Sequence, residues 1–369
     1  MHCDYFEAGR CGSCTLIRTP YELQLADKAA DAARAVPTTW ASPVASAVRG
    51  FRTKAKMVVG GTVDVPTLGI LDPEGFGQDL QGCLLYPESL SRAFTPLTDF
   101  ITRSRLEPYD VPARRGELKN VLLTVSPDGR LMIRFVMRST EALARIRKHL
   151  PGLIDALPGL DVVTVNVLPA HAALSEGDTE IVLTDAQTLG MRINDVDLHL
   201  GPRSFFQTNT DVASALYREV RGWVAEVAPS RVWDLYCGVG AFALHCTADG
   251  RVVTGVEVAD AAVAAAQTSA TASGVRATFI AADATAWALA QPGPPELVIV
   301  NPPRRGIGGD LATWLEDSGV PTVVYSSCNP ESLVRDLELM PSLRPVRGRL
   351  FDMFPHTAHS EVAVLLQRA

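Results

Sequence analysis

From about residue 205 to the C-terminus, apolar strand-like runs alternate with helix-like stretches. The helical pattern DVASALYREVRGWVAEV is followed by RVWDLYCGVGAF, which predicts a strand that enters a glycine turn. Later strand-like runs are RVVTGVEV, RATFIAAD, ELVIVNPP, TVVYSSC, RPVRGRLFDMF and EVAVLLQ. Such regular alternation requires a mainly parallel sheet with helices on both faces. We therefore predict an α/β domain over residues 205–369.

The preceding residues follow other patterns. YELQLADKAADAARAV has helical periodicity, and NVLLTVSPDGRLMIRFVMRS predicts a hairpin around the turn sequence SPDG. FRTKAKMVVGG alternates as a strand does, with Arg52, Lys54 and Lys56 on one face. These patterns predict an α+β region, which we divide into an N-terminal part (1–90) and a central domain (91–204).

Charge is distributed unevenly along the chain. The net charge of −7 argues against a general nucleic-acid binder, yet residues 1–150 carry 20 basic and 16 acidic side chains. This asymmetry is typical of a binding region joined to an enzyme domain, and a solvated basic face with no partner explains it equally well. No apolar run approaches the length of about 18 residues that a membrane span needs. We expect a cytoplasmic monomer with no disulfides, no membrane contact and no DNA partner.

Ligands of such sheets bind at the carboxyl ends of the strands. Gly238 and Gly240 follow the first strand, where glycine lets the backbone approach a ligand closely. A G-x-G pair is also common in ordinary tight turns. The next strand ends in Glu257, whose carboxylate can accept hydrogen bonds from both hydroxyls of a ribose. Together with Asp234, it resembles the S-adenosylmethionine (SAM) site of class I methyltransferases.

Two further strand ends carry chemistry. Asn301 opens NPPRRG, where rigid prolines would fix a carbonyl and an amide beside a flat substrate, although an ordinary turn fits as well. Cys328 lies between a strand and the helix start Asn329-Pro330, which is a favoured cap sequence. The positive end of the helix dipole is expected to lower the thiol pKa and favour the nucleophilic thiolate. The alternative is a small buried residue, which is the role we predict for Cys237 and Cys246.

A SAM site and a reactive cysteine fit one reaction well. Carbon 5 of uracil is a poor nucleophile until a thiolate adds to C6 and creates an enolate. A base must then remove the C5 proton so that the cysteine can leave. Glu361, at the start of the last strand, is the predicted base.

The combined motifs resemble the RNA uracil-5-methyltransferase family. They are SFFQTN, DLYCGVGAF, GVEV, NPPRRG, YSSCNP and FDMFPHTAHSEV, and CDYFEAGRCGSC, FRTKAKMVV and RRGELKNVLLT extend the likeness to a branch that methylates 23S rRNA. The resemblance implies a class I, Rossmann-like SAM domain. Many members have Asp where this chain has Asn301, whereas this branch is Asn-like. The residues that the resemblance assigns to the SAM or target-base site are Gln207, Tyr236, Gly238, Glu257 and Asn301, with Cys328 as nucleophile and Glu361 as base.

Four other cysteines predict a metal site. Cys3, Cys11 and Cys14 form C-x7-C-x2-C, and Cys83 is a plausible fourth ligand. Four thiolates can hold either zinc or a [4Fe–4S] cluster, and their spacing does not decide between them. The resemblance favours the cluster. The remaining alternative is a set of unligated surface thiols.

The expected RNA-binding residues are basic. Arginine and lysine grip phosphates, and the target uracil must leave its stack to reach Cys328. Phe205 and Phe206 either support that base or pack in the core. The alternatives to a 23S rRNA enzyme are a methyltransferase for the tRNA T-loop, a non-catalytic RNA-binding Fe–S protein and an amino-methyltransferase. The predicted RNA contacts are Arg52, Lys54, Lys56, Arg114, Arg115 and Lys119.

Overall fold

The computed structural model describes residues 1–172, 174 and 176–369, which divide into two compact units. The first unit contains Met1–Cys14 and Arg49–Met191, and the second contains Thr15–Val48 and Arg192–Ala369. This division differs from the three predicted parts. The boundary expected between residues 90 and 91 falls inside the first unit, and residues 15–48 belong to the second unit instead of an N-terminal part.

The helices and strands follow one another closely along the chain. The helices are α1 (Asp4–Glu7), α2 (Tyr21–Ala35), α3 (Glu88–Ser91), α4 (Phe94–Arg103), α5 (Leu143–Ala156), α6 (Thr210–Val227), α7 (Ala241–His245), α8 (Asp260–Ser273), α9 (Ala284–Leu289), α10 (Gly309–Asp317) and α11 (Pro330–Glu338). The strands are β1 (Thr39–Trp40), β2 (Lys54–Gly61), β3 (Pro66–Leu71), β4 (Gly77–Asp79), β5 (Leu118–Val125), β6 (Leu131–Met137), β7 (Leu160–Val167), β8 (Thr179–Val182), β9 (Leu189–Ile193), β10 (Val196–Leu200), β11 (Arg231–Leu235), β12 (Val252–Glu257), β13 (Ala277–Ala281), β14 (Leu297–Val300), β15 (Thr322–Ser327), β16 (Leu343–Phe351) and β17 (Glu361–Arg368). Within the described residues, no helix is long and apolar enough to cross a membrane.

The first unit is built on a sheet of order β4-β3-β2-β5-β6-β7-β8. Its strands are antiparallel apart from β6 and β7, which are parallel and are joined by α5. The predicted hairpin is β5–β6, and the predicted alternation in β2 is observed. Ala55 and Met57 point into a core shared with α4 and α5, whereas Lys54 and Lys56 lie on the opposite face. Strand periodicity therefore decides which face of this sheet is polar.

The second unit confirms the predicted α/β domain with a mainly parallel sheet. The strand order is β1-β16-β17-β15-β14-β11-β12-β13, and only β17 is antiparallel to its neighbours. Buried apolar strands β14 and β15 lie at its centre, as expected where helices cover both faces. The sheet reverses direction of winding between β11 and β14, which is the switch point where such sheets bind ligands.

Helix α2 explains why residues 15–48 belong to the second unit. Its Ala32 and the adjoining Val36 are buried in the second unit's core. β1 then adds to the sheet edge by pairing in parallel with β16. Because α2 is far from β16 in sequence, local periodicity predicts the helix but not the unit to which it belongs.

Candidate active site

The glycine turn after β11 is formed as the sequence predicts. Tyr236, Gly238 and Gly240 all have positive φ angles, of 64°, 53° and 78°. A Cβ atom at Gly240 would lie 2.7 Å from the ring of Phe279, so that glycine is required by packing. A Cβ atom at Gly238 would meet no atom within 4 Å. The turn is therefore tight on the side of Gly240 and open on the side of Gly238, where a ligand can approach the backbone.

Glu257, at the end of β12, is held beside this turn. Its Oε2 accepts a hydrogen bond from the backbone N–H of Gly238 at 3.1 Å, and its Oε1 accepts one from Ala259 at 3.0 Å. Each oxygen keeps one lone pair for another donor. The carboxylate is thus oriented in advance to accept hydrogen bonds from two neighbouring hydroxyls.

Asp234, which the sequence pairs with Glu257 in a SAM-like pattern, lies in strand β11. It is fully buried, and burial raises the pKa of its carboxyl to about 7, with a further contribution from the charge of Glu257. The N–H of Ala243 donates to Oδ2 at 2.8 Å, whereas Oδ1 has no partner among the described residues. A buried carboxyl oxygen without a partner is costly, so this atom is fitted for a polar group that the chain itself does not supply.

Two other predicted cofactor residues, Tyr236 and Gln207, lie in the turns next to β11 and α6. Tyr236 is half-buried, and its hydroxyl hydrogen-bonds Thr285. Gln207 is 8% exposed in the turn before α6, and its side chain has no hydrogen-bond partner among the described residues. Both side chains keep polar atoms available for a ligand.

Cys328 lies where the sequence predicts, directly between β15 and α11. Asn329 caps the helix, because its side chain accepts a hydrogen bond from the N–H of Glu331 at 3.2 Å. The expected lowering of the thiol pKa is wrong. Burial and the charge of Glu361 raise the pKa of Cys328, and the guanidinium of Arg304 opposes them only in part. Burial of the thiol, with a smaller contribution from the charge of Glu361, thus outweighs the expected effect of the helix dipole.

Sheet register brings Cys328 and Glu361 together. In the antiparallel pair β15–β17, Ser326 lies opposite Ala363 and Ser327 opposite Val362. Continuing the register by one residue places Cys328 across from Glu361. The nucleophile and the base of the predicted reaction therefore lie side by side, although 33 residues separate them in the chain.

Glu361 is held by two donors. Its Oε1 accepts hydrogen bonds from Ser326 Oγ at 2.6 Å and from Asn301 Nδ2 at 3.0 Å. The side chain is 2% exposed, and burial raises its pKa to about 7 despite both donors. A carboxyl that titrates near neutral pH is well matched to accepting a proton. Asn301, a predicted residue of the cofactor or target-uracil site, directly contacts the predicted general base Glu361.

A cavity of about 290 Å³ opens beside Cys328. Arg304 and Asn329 line it from the second unit's sheet edge, and Lys28 and Ala32 line it from α2. The ammonium of Lys28 donates to Asp352 Oδ1 at 2.7 Å and to the carbonyl of Phe354 at 3.1 Å. It therefore anchors the segment that leads into Glu361. Sequence reasoning missed Lys28, because no local pattern links α2 to this strand.

The remaining cysteines of the second unit have a structural role. Cys237 and Cys246 are buried, and burial raises the pKa of both thiols. The negative charges of Asp234 and Glu257 raise the pKa of Cys237 further. A thiol in such surroundings is a poor nucleophile, as predicted for both residues.

The four N-terminal cysteines all lie in the first unit and share one electrostatic environment. Burial raises the pKa of Cys14 to about 11, and the charges of Cys83, Cys11 and Cys3 each contribute. Arg52 lies close enough to oppose them. Among the described residues, no three His, Cys, Asp or Glu side chains are grouped tightly enough to hold a single metal ion. The donor set is nevertheless all thiol, with mutual repulsion that an electrophilic metal centre would relieve.

Comparison with curated proteins decides the family. The chain is 48% identical to the 23S rRNA (uracil(747)-C(5))-methyltransferase RlmC of Escherichia coli K12, over 99% of both chains. It is 50% identical to RlmC of Halothiobacillus neapolitanus over the whole of both chains. The chain belongs to the RlmC family. The family model for tRNA (uracil-5-)-methyltransferase also matches residues 295–369, and a methyltransferase-domain model matches residues 232–301.

A solved structure supports the fold across both units of this RlmC-family chain. It is the Pyrococcus abyssi tRNA (uracil-54, C5)-methyltransferase in complex with S-adenosyl-L-homocysteine. The two share 25% sequence identity with a TM-score of 0.82, over 96% of this chain and 85% of the other. The SAM-dependent methyltransferase fold that the family resemblance implies is therefore confirmed.

The basic residues predicted to contact RNA are less uniform than the sequence suggests. Lys56 is exposed, whereas Lys54 is half-buried with its pKa lowered by burial and by Arg134. Arg52 lies near the cysteines, and Lys119 is only 8% exposed. Strand alternation predicts that Lys54 and Lys56 share a face of the sheet, but it does not predict how far each side chain is buried. Arg114 and Arg115 are exposed in the loop before β5.

The two adjacent phenylalanines have different surroundings. Phe206 is 6% exposed and packs against Tyr217, whereas Phe205 is 70% exposed. Of the two alternatives stated for this pair, Phe206 therefore takes the core position. Phe205 is left available for contact with a base.

Proposed function

We propose that this protein transfers a methyl group from SAM to carbon 5 of a uridine in 23S rRNA, through a covalent bond between Cys328 and C6. The observation that carries the proposal is the register of β15 and β17, which sets Cys328 across from a buried carboxyl with a pKa near 7. The full-length identity to RlmC proteins supports the choice of 23S rRNA, and the uridine at position 747 is the expected target.

The reaction uses Cys328 first as nucleophile and then as leaving group. Its sulfur adds to C6, and the electron pair of the C5–C6 double bond moves to form an enolate. When bound, SAM supplies the methyl group that C5 receives. Arg304 favours the thiolate by opposing the effect of burial on the Cys328 pKa.

Glu361 completes the cycle as general base. It accepts the C5 proton, the C5–C6 double bond forms again and the sulfur–C6 bond breaks. Asn301 and Ser326 donate to Oε1, so they fix the orientation of the carboxylate during this proton transfer. An ionised Glu361 is required, which predicts that activity falls below about pH 7.

The residues at the carboxyl ends of β11 and β12 fit SAM. Glu257 would accept hydrogen bonds from the ribose hydroxyls, since both of its oxygens are already oriented. The open side of Gly238 would accommodate the ligand next to the backbone. The unpartnered Oδ1 of Asp234 and the free amide of Gln207 are the other groups we assign to this site.

We further propose that Cys3, Cys11, Cys14 and Cys83 hold a [4Fe–4S] cluster. The all-thiol donor set and the mutual effect on the pKa of Cys14 support a shared electrophilic centre. A cluster would join the N-terminal segment to the residues after β4. Protein purified without oxygen should contain about four irons per chain. Stoichiometric zinc without iron would overturn the cluster assignment.

Methyl transfer to defined RNAs tests the proposed function. The purified protein should transfer a labelled methyl group from SAM to a 23S rRNA fragment that contains the target uridine. The same fragment with that uridine changed to cytidine should not be labelled. A tRNA transcript serves as the second substrate, because the solved relative is a tRNA (uracil-54, C5)-methyltransferase. Labelling of the tRNA alone would reassign the substrate, and no labelling of either RNA would favour a non-catalytic RNA-binding protein.

A further inference from the structure

A second cavity, of about 490 Å³, lies in the first unit. Its volume is within the range of pockets that hold small ligands of nucleotide size. Cys328 and Glu361 belong to the second unit, whereas the residues that line this cavity belong to the first. Its apolar lining residues are Val58, Leu71, Val111, Leu168, Ala172 and Leu174, and its polar groups come from Lys56, Tyr109, Lys119, Asn120 and His171.

Asn120 is the feature that points to a ligand. It lies opposite Val58 in the β2–β5 pair, and so on the face of the sheet that Lys56 shares. The side chain is 9% exposed, and among the described residues its amide has no hydrogen-bond partner. Because this amide lines the cavity, a polar group from outside the chain can bind it there. An amide offers one acceptor and two donors, which match the edge of a nucleobase.

Two ammonium groups accompany the amide. Lys119 lies over the Tyr109 ring, 4.8 Å from its centroid, and donates to the carbonyl of Ala170 at 2.6 Å. Tyr109 is itself fixed by a 2.9 Å hydrogen bond between its hydroxyl and Nδ1 of His171. The Lys119 ammonium retains further donors, and the exposed Lys56 adds a second positive charge. Burial lowers the pKa of Lys119, and a bound anion would counteract that effect.

We propose that this cavity holds one unstacked nucleotide of the substrate RNA, other than the methylated uridine. Its base would lie against the apolar lining residues with its edge on Asn120, and its phosphate would contact Lys56 and Lys119. Sequence-specific recognition of RNA commonly uses such splayed bases. The inference rests on the proposed function, and it adds a determinant of substrate choice that uses residues other than those of the catalytic site.

An abasic scan tests the proposal. The probe is a 23S rRNA hairpin with the acceptor uridine, in which each other loop nucleotide is replaced in turn by an abasic residue. With the wild-type protein, one replacement should raise KM about five- to tenfold, as expected for the loss of one or two hydrogen bonds. Asn120→Asp keeps the side-chain shape but removes the amide donors. In this variant the same replacement should raise KM less than twofold.

Charge variants provide the matched control. Lys56→Met should lower the slope of log Kd against log salt by about one unit, as expected for one lost phosphate contact. Lys148→Met removes an exposed lysine from α5, on the other side of the sheet, and should leave the slope unchanged. Circular dichroism and thermal unfolding of every variant check that the fold of the first unit is retained.

Two results would overturn the inference. One is an abasic profile that is the same in Asn120→Asp and in the wild type. The other is that free adenosine or uridine monophosphate binds at Asn120 while no abasic replacement raises KM. That outcome would make the ligand a free nucleotide. A wild-type protein that methylates no RNA at all would instead refute the proposed function, so the two failures are distinguishable.

Discussion

The substitution Glu361→Gln separates the two halves of the proposed reaction. The glutamine Oε1 can still accept hydrogen bonds from Ser326 and Asn301, so the local structure is expected to persist. The amide cannot take the C5 proton. Addition of Cys328 and methyl transfer should proceed, whereas release of the product should fail. The enzyme should therefore accumulate as a covalent adduct with methylated RNA.

Glu361→Gln is expected to change both the turnover rate and the free energy of unfolding. Loss of a general base slows turnover by about 10²- to 10⁴-fold. The pKa of Glu361 rises from 4.5 to about 7 on folding. Because the folded protein holds this proton more tightly than the unfolded chain does, the protonated carboxyl stabilises the fold at pH values below the pKa of the unfolded chain. That stabilisation is lost as the pH rises to the pKa of the folded state. The ionised side chain therefore costs the ligand-free fold about 3 kcal/mol above pH 7, and Glu361→Gln removes that cost.

Two assays measure these effects. Denaturing gel electrophoresis with labelled RNA detects the adduct, because a thioether bond survives detergent. Urea unfolding followed by tryptophan fluorescence reports on the second unit, where all five tryptophans and Glu361 lie. Between about pH 5.5 and 8.5, the stability of Glu361→Gln relative to wild type should increase by about 2 kcal/mol. The exposed Glu338→Gln is the matched control, and its relative stability should stay constant.

Clear outcomes would refute this reasoning. Near-normal turnover by Glu361→Gln would remove Glu361 from the mechanism. An adduct that persists in the double variant Cys328→Ala, Glu361→Gln would assign the nucleophile to another residue. If the difference in stability between Glu361→Gln and wild type does not change with pH, the pKa of Glu361 is not raised in the folded protein.

Three other substitutions follow from the structure. Cys328→Ala should abolish methylation and leave RNA and SAM binding intact, as measured by filter binding and calorimetry; loss of both would instead indicate a packing role. Gly240→Ala should destabilise the second unit by about 2–4 kcal/mol in urea unfolding, since the alanine would have a left-handed backbone and its Cβ would also meet the Phe279 ring. The control is Gly250→Ala, where φ is similar and the space is open, and it should cost about 1 kcal/mol. Lys28→Met should cost about 3–5 kcal/mol by leaving the buried Asp352 without its ion-pair partner. Equal stability to wild type would contradict a buried ion pair.

The sequence alone determined the class of the catalytic unit and most of its chemistry. Alternating apolar runs require a parallel sheet, and the ends of its strands hold Gly238, Glu257, Asn301 and Cys328 because period and punctuation are local properties. The cap Asn329 is predicted for the same reason.

Tertiary structure decided what depends on residues distant in the chain. The pairing of β15 with β17 sets Glu361 beside Cys328. Burial, and then the charge of Glu361, raise the pKa of the thiol, whereas the local helix end alone predicts a lower pKa. The burial of Asp234, the anchoring by Lys28 and the unpaired amide of Asn120 also have no local signal. Burial and charge contacts are set by the whole fold, because a side chain's solvation depends on every element packed around it.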